Sequence, residues 1–131
     1  MSLSNSPVIA IIDDDASLRR ALGRVMNSAN LGYREFASAE SFLETGVSEL
    51  IDCLIADMTM RGLSGLELKQ QLNLYRPDLP MIIITADDCD EMRDSAREAG
   101  VAALFRKPVD TQALLDAIFW IVGGTIRQGA A

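Results

Sequence analysis

The residues best suited to chemistry are Asp13, Asp14 and Asp15, then Asp57, Thr85, and Lys107 between Arg106 and Pro108. They lie at or just past the end of a short apolar run: Val8–Ile12, Cys53–Ala56, Met81–Ile84 or Val101–Phe105. Asp15 alone reads as the N-cap of a helix starting at Ala16, an ordinary task for an acidic residue. One cap does not need three carboxylates. If Asp13, Asp14 and Asp57 converge, each pair repels by about 1 kcal/mol at 4 Å in water and about 4 kcal/mol at a surface-like dielectric of 20. A hard divalent cation in the gap would relieve that repulsion. Carboxylates, a carbonyl and waters suit Mg2+, which also pairs with phosphate; Mn2+ is the second candidate. A carboxylate can itself be the nucleophile that forms an aspartyl-phosphate, and catalysis is then mainly positioning and charge stabilisation. Lys107 supplies a point charge for a phosphoryl oxygen, and Thr85 a hydroxyl donor of short reach.

The elements that must position these residues follow from the apolar pattern. The first, second and third of those runs are unbroken rather than alternating, as expected for strands covered on both faces of a parallel sheet. Helical spacing separates them. Leu18, Leu22, Val25 and Met26 repeat on one face between Ala16 and Asn30; Leu68, Leu72 and Tyr75 do so until Pro77 stops the helix. Leu114, Leu115, Ile118, Ile121 and Val122 form a last apolar face that is expected to end at Gly123-Gly124. Weaker patterns place an edge strand at Tyr33–Phe36, a helix near Ala39–Glu44 and an acidic helix near Cys89–Ala99. The β-α alternation predicts an α/β fold, a doubly wound (βα)5 three-layer sandwich on a parallel five-stranded sheet with right-handed crossovers. Ligands of such sheets bind beyond the carboxyl ends of the strands, where the acids, Thr85 and Lys107 fall.

Composition narrows the function. A chain of 131 residues with 49% hydrophobic and 24% charged residues is a single globular domain rather than a disordered segment. Its 19 acidic and 12 basic residues give a net charge of −7. That argues against direct contact with nucleic acid or an anionic membrane. The absence of histidine excludes histidine triads, histidine acid–base catalysis and histidine metal sites. Cys53 and Cys89 lack ligand spacing and read as free thiols of a reducing cytoplasm. No apolar run approaches the roughly 20 residues of a membrane span.

Five segments together resemble the receiver domain of two-component response regulators: Ile11-Ile12-Asp13-Asp14-Asp15, Leu54 to Met60, Leu63 to Leu68, Ile83-Ile84-Thr85-Ala86 and Phe105-Arg106-Lys107-Pro108. The resemblance spans about Val8 to Val122. Ser64-Gly65-Leu66-Glu67-Leu68 is most similar to receivers of DNA-binding regulators in the nitrogen-fixation and nodulation group. The resemblance implies a flavodoxin-like sheet of strand order 2-1-3-4-5. It implies that Asp57 is the phosphoacceptor, served by a sensor histidine kinase, a phosphotransfer protein or small phosphodonors. Asp14, Asp57 and the Thr59 carbonyl would bind Mg2+ directly, with Asp13 acting mostly through water. Lys107 would pair with Asp57 and then with the phosphate, Thr85 would swing in to bond it, and Lys107-Pro108 would be cis. Such a domain is a switch that catalyses only its own phosphorylation and slow dephosphorylation. Domain limits follow: residues 1–6 a disordered or tag-derived N-terminus, 7–123 the receiver, and 124–131 a tail or the start of a linker to a missing output domain, with transcription as the expected output.

The pattern departs from the family in two places. Many receivers have proline where this chain has Arg61, and an arginine there is expected to be solvent-exposed. Receivers commonly place an aromatic three residues before the lysine; here that residue is Leu104, and the aromatic is Phe105, one residue later. Side chains alternate along a strand, so Phe105 should face away from Leu104; either Leu104 gives a weaker switch or Phe105 is core rather than gate. Thr59 and Asp87 stand at positions that tune phosphate lifetime in the family. The acidic run from Asp87 to Glu91 reads mainly as a helix-dipole interaction at the start of the fourth helix. Trp120 and Phe119 lie off the core face of the last helix. Either the Trp120 ring lies along the surface partly covered, or, as the resemblance implies, this surface with the fourth helix and fifth strand is a homodimer or output contact.

Three other readings fit less well. A flavodoxin-like electron carrier needs backbone donors for the cofactor phosphate in its first loop, and Asp13–Asp15 would repel it. A haloacid-dehalogenase-like phosphatase needs a second Asp two residues after the nucleophile, where this chain has Thr59. A degenerate docking module would not need Asp13, Asp14, Asp57, Thr85 and Lys107 together.

Overall fold

The computed structural model describes residues 6–47, 49–87 and 89–130, the segment from 124 onward as backbone. Residues 1–5, where the disordered or tag-derived N-terminus is expected, and the side chains of the expected tail lie outside the described residues. Strands and helices alternate: β1 Val8–Ile12, α1 Ala16–Ser28, β2 Gly32–Phe36, α2 Ala39–Ser41, β3 Cys53–Asp57, α3 Gly65–Leu72, β4 Met81–Thr85, α4 Asp90–Ala99, β5 Ala103–Arg106 and α5 Thr111–Ala130. One π-helical turn, Phe42–Gly46, continues α2. The sheet is parallel throughout, in the order β2-β1-β3-β4-β5.

The unbroken apolar runs are explained by two cores, one on each face. Ala10, Ile12, Leu54, Ala56, Met81 and Ile83 pack with Leu68 and Leu72 of α3 and with Phe42. Ile9, Ile11, Cys53, Ile55, Ile82 and Ile84 pack with Leu22 and Met26 of α1 and with Leu114, Ile118 and Val122 of α5. Each Leu, Ile, Val, Met or Phe among them contributes about 1.5–3 kcal/mol on full burial. Alternate residues of one strand therefore serve opposite cores, and no position in the run is left for a polar residue until the strand ends.

Two helix ends differ from the sequence pattern. Tyr75 is not part of α3: the helix stops at Leu72, and Leu74 and Tyr75 donate to Gln71 and Leu72 carbonyls in tight turns. Tyr75 is left 67% exposed. The Arg76 guanidinium anchors the following chain by donating to the carbonyls of Val47, Glu49 and Ile51. That reach overrides the helical periodicity. The second difference is at Gly123, where α5 continues to Ala130 instead of ending. A helix-interior glycine costs only about 1 kcal/mol relative to alanine, and Gly123 does not take the left-handed conformation that would cap the helix. Nearby, the buried ammonium of Lys69 donates to the Leu79 and Pro77 carbonyls at 3.3 and 3.5 Å, fixing the α3–β4 turn.

Candidate functional site

Sheet register builds the site. Ile12 is paired with Ala56, so the next residues, Asp13 and Asp57, emerge side by side at the carboxyl edge. Thr85 is paired with Arg106 on the other side, and the Lys107 N–H donates to the Thr85 carbonyl at 2.8 Å. Asp13, Asp14 and Asp57 each bring a carboxylate oxygen within 4.8 Å of the others. Asp13 and Asp57 are buried and Asp14 is half-buried. The Lys107 ammonium lies 3.1 Å from Asp57 Oδ2, and the Lys107-Pro108 peptide is cis.

Each acid has a different local partner. Asp57 Oδ1 accepts a long bond from the Thr59 N–H at 3.4 Å. Asp13 Oδ1 accepts the Asp15 N–H at 2.8 Å, while Arg19 donates to the Asp13 carbonyl. Asp14 Oδ2 accepts the Arg61 N–H at 3.0 Å. Asp15 is spent on capping α1, accepting from the Ser17 and Leu18 amides. Burial raises the Asp13 carboxyl above the ordinary 3.8, and the charges of Asp57 and Asp14 push the same way against the Asp15 N–H and Lys107. A set of hard oxygen donors whose own repulsion resists ionisation fits a divalent cation. Thr85 is buried. Its hydroxyl accepts the Asp87 N–H at 3.1 Å and faces the Asp87 carbonyl and Met92 Sδ at 3.0 and 3.3 Å, so it is engaged with the entry to α4 rather than with Asp57.

The loop from Asp57 to Gly65 is held closely. A Cβ on Gly65 would lie 2.7 Å from the Asp57 carbonyl, so only glycine lets α3 start this near the end of β3. Ser64 and Glu67 cap that start reciprocally. Gly62 has φ +83° and abuts the Glu40 carboxylate, which accepts the Leu63 N–H at 2.9 Å.

The comparison with known proteins now decides the family. The model for the response regulator receiver domain matches residues 9–119. The chain belongs to that family. Over 114 residues the receiver is 35% identical to the transcriptional regulatory protein TdiR of Thauera aromatica, covering 87% of this chain and 50% of that protein. It is 31% identical over 121 residues to the transcriptional regulatory protein FixJ of Azorhizobium caulinodans, covering 92% and 57%. A CheY-like receiver domain protein from Methanospirillum hungatei superposes with a TM-score of 0.87 at 22% identity, over 95% of this chain and 99% of that one, which shows the shared fold. The chain spans about half the length of the curated relatives it matches. Its likeness to nitrogen-fixation and nodulation regulators, read from Ser64–Leu68, extends along the sequence.

Beyond the acidic cluster, Leu104 packs against the core under α3 and lines a cleft of about 240 Å³ with Arg93 and Arg97 of α4. Phe105 packs on the opposite core, beside α1 and α5. Trp120 and Phe119 project from α5, 81% and 45% exposed. Both cysteines are free; burial, with a smaller contribution from Asp52, pushes the Cys53 thiol up to about 12, leaving it inert. Among the described residues no helix is long and apolar enough to cross a membrane. Thr59 is exposed at the start of its loop. Two contacts had no sequence signal: Glu40 on the Gly62–Leu63 backbone, and Arg19 on the Asp13 carbonyl. Both join segments far apart or unpatterned.

Proposed function

We propose that this receiver is a phosphorylation switch: Asp57 accepts a phosphoryl group from a phosphohistidine of a sensor kinase or phosphotransfer protein, or from a small phosphodonor. The observation that carries the reading is the Asp57–Lys107 contact inside a cluster of three carboxylates. An Asp57 oxygen attacks phosphorus; the P–O bond forms as the P–N bond breaks, and that electron pair returns to the donor imidazole. This chain has no histidine, so the phosphohistidine belongs to the partner. Lys107 steadies a phosphoryl oxygen as charge moves off Asp57. Mg2+ or Mn2+, held by Asp13, Asp14, Asp57 and the Thr59 carbonyl, would supply neutralising charge to the carboxylates and phosphoryl oxygens. The Thr85 hydroxyl exchanges its bond at the α4 entry for one to the phosphoryl group, and so couples the site to α4.

The domain is a switch rather than a metabolic enzyme, acting on its own phosphorylation and slow dephosphorylation. The names of the relatives support transcription as the output, exerted on the cytoplasmic side by a domain beyond residues 7–123 and not by nucleic-acid contact here. Exposed Trp120 and Phe119 support pairing of two receivers through α4, β5 and α5. Labelling with phosphoramidate tests the acceptor chemistry: incorporation that needs Mg2+ and stops with chelator supports it. Equal incorporation with chelator would rule out the metal-dependent reading.

A further inference from the structure

We infer that Arg61 is a built-in counter-cation of Asp14, competing with the divalent metal for that carboxylate and lowering the metal affinity of this receiver. The inference rests on the metal-binding reading of the three acids. Their charges are served unequally: Asp57 has Lys107 at 3.1 Å, and the Asp13 carboxylate accepts the Asp15 N–H. Asp14 Oδ2 meets one residue twice: it accepts the Arg61 N–H at 3.0 Å and lies 3.8 Å from Arg61 Nε, an ion-pair distance. A metal on Asp14 would bind a carboxylate that already accepts the amide through Oδ2, and would face the guanidinium as a like charge.

A proline at this position would bring neither an N–H nor a charge, whereas Arg61 brings both to Asp14. The two groups differ in how they yield. Glu40 pins the next residues through the Leu63 N–H and Gly62, so the Arg61 amide stays over Asp14. The Arg61 side chain is 92% exposed, held by no packing, and free to swing into solvent when a cation arrives. Arg61 therefore satisfies Asp14 in the metal-free protein and is displaced, in part, by the metal.

Calorimetric titration of the full chain with Mg2+ alone tests this. Arg61→Gln should bind roughly two- to fivefold tighter than wild type at low ionic strength, the range of an exposed ion pair. Arg61→Lys should stay near wild type, and Arg61→Pro should bind at least as tightly as Arg61→Gln. The gap between wild type and Arg61→Gln should close near 1 M salt, where screening acts over about 3 Å. Equal or weaker binding by Arg61→Gln at low salt overturns the inference, as does a gap that persists in high salt. No Mg2+ binding by wild type or variants would instead overturn the metal reading on which it rests.

Discussion

Glu40 and Leu63, 23 residues apart, are joined by a 2.9 Å bond from the Leu63 N–H to the Glu40 carboxylate. The contact ties α2 to the loop that carries Thr59 and Arg61, and Gly62 makes it feasible by turning at φ +83° directly against the carboxylate. Removing the acceptor costs about 0.5–1.5 kcal/mol. Glu40→Ala should lower the melting temperature by about 3–5 °C per kcal/mol and speed exchange of the Leu63 amide. Glu40→Gln keeps an acceptor oxygen and should exchange nearly as wild type. Unchanged Leu63 exchange in Glu40→Ala would show that the loop is held otherwise.

On the proposed metal reading, Asp13 should make stability depend on pH and metal together. Its folded-state carboxyl is raised above 3.8, first by burial and then by the charges of Asp57 and Asp14. The fold therefore favours the protonated form. That contribution is complete below pH 3.8 and is lost as pH rises through the raised value. In chelator at neutral pH, Asp13→Asn should be more stable than wild type by about 1 kcal/mol, the order of one carboxylate repulsion, with the difference fading below pH 3.8. Adding Mg2+ should reverse the ranking, because ligand binding stabilises wild type more. Thermal scans across pH with and without Mg2+ check both signs.

In the proposed switch, Thr85 serves the response rather than the acceptance. Its hydroxyl bonds within the turn that starts α4, and its place at the end of β4 puts it next to Asp57 along the sheet edge. Thr85→Ala should still take up phosphate at Asp57, while the phosphorylation-dependent change in α4 amide exchange should fall severalfold. A full α4 response in Thr85→Ala would remove the hydroxyl from the coupling.

Trp120 gives the proposed pairing surface its clearest test. A tryptophan 81% exposed on α5 leaves a large apolar face in water. If it anchors a phosphorylation-dependent dimer, Trp120→Ala should weaken dimerisation by 2 kcal/mol or more, about 30-fold, as hot-spot residues do. Size-exclusion chromatography with and without phosphorylation would show it. Equal elution of wild type and variant in both states would place pairing elsewhere.

Much of this was legible in the sequence because it is local or periodic. Strands covered on both faces must read as unbroken apolar runs, so Val8–Ile12, Cys53–Ala56 and Met81–Ile84 mark the sheet and the next residues mark its edge. Asp15 as a cap, and Leu104 and Phe105 on opposite cores, follow from strand and helix geometry alone. What the sequence could not show depends on reach. Arg76 takes Tyr75 out of α3 by crossing to Val47, Glu49 and Ile51. Gly123 looks like a stop but has no left-handed turn to form. Arg61 reads as an exposed cation and is one, yet its backbone N–H meets Asp14, 47 residues away.

The central claim is that Asp57 is the acceptor, and intact-mass spectrometry after acetyl phosphate and Mg2+ tests it most directly. Wild type should gain one phosphoryl group, labile to chemical trapping at the peptide containing Asp57, and Asp57→Asn should gain none. Phosphorylation of Asp57→Asn to the wild-type extent would contradict the account.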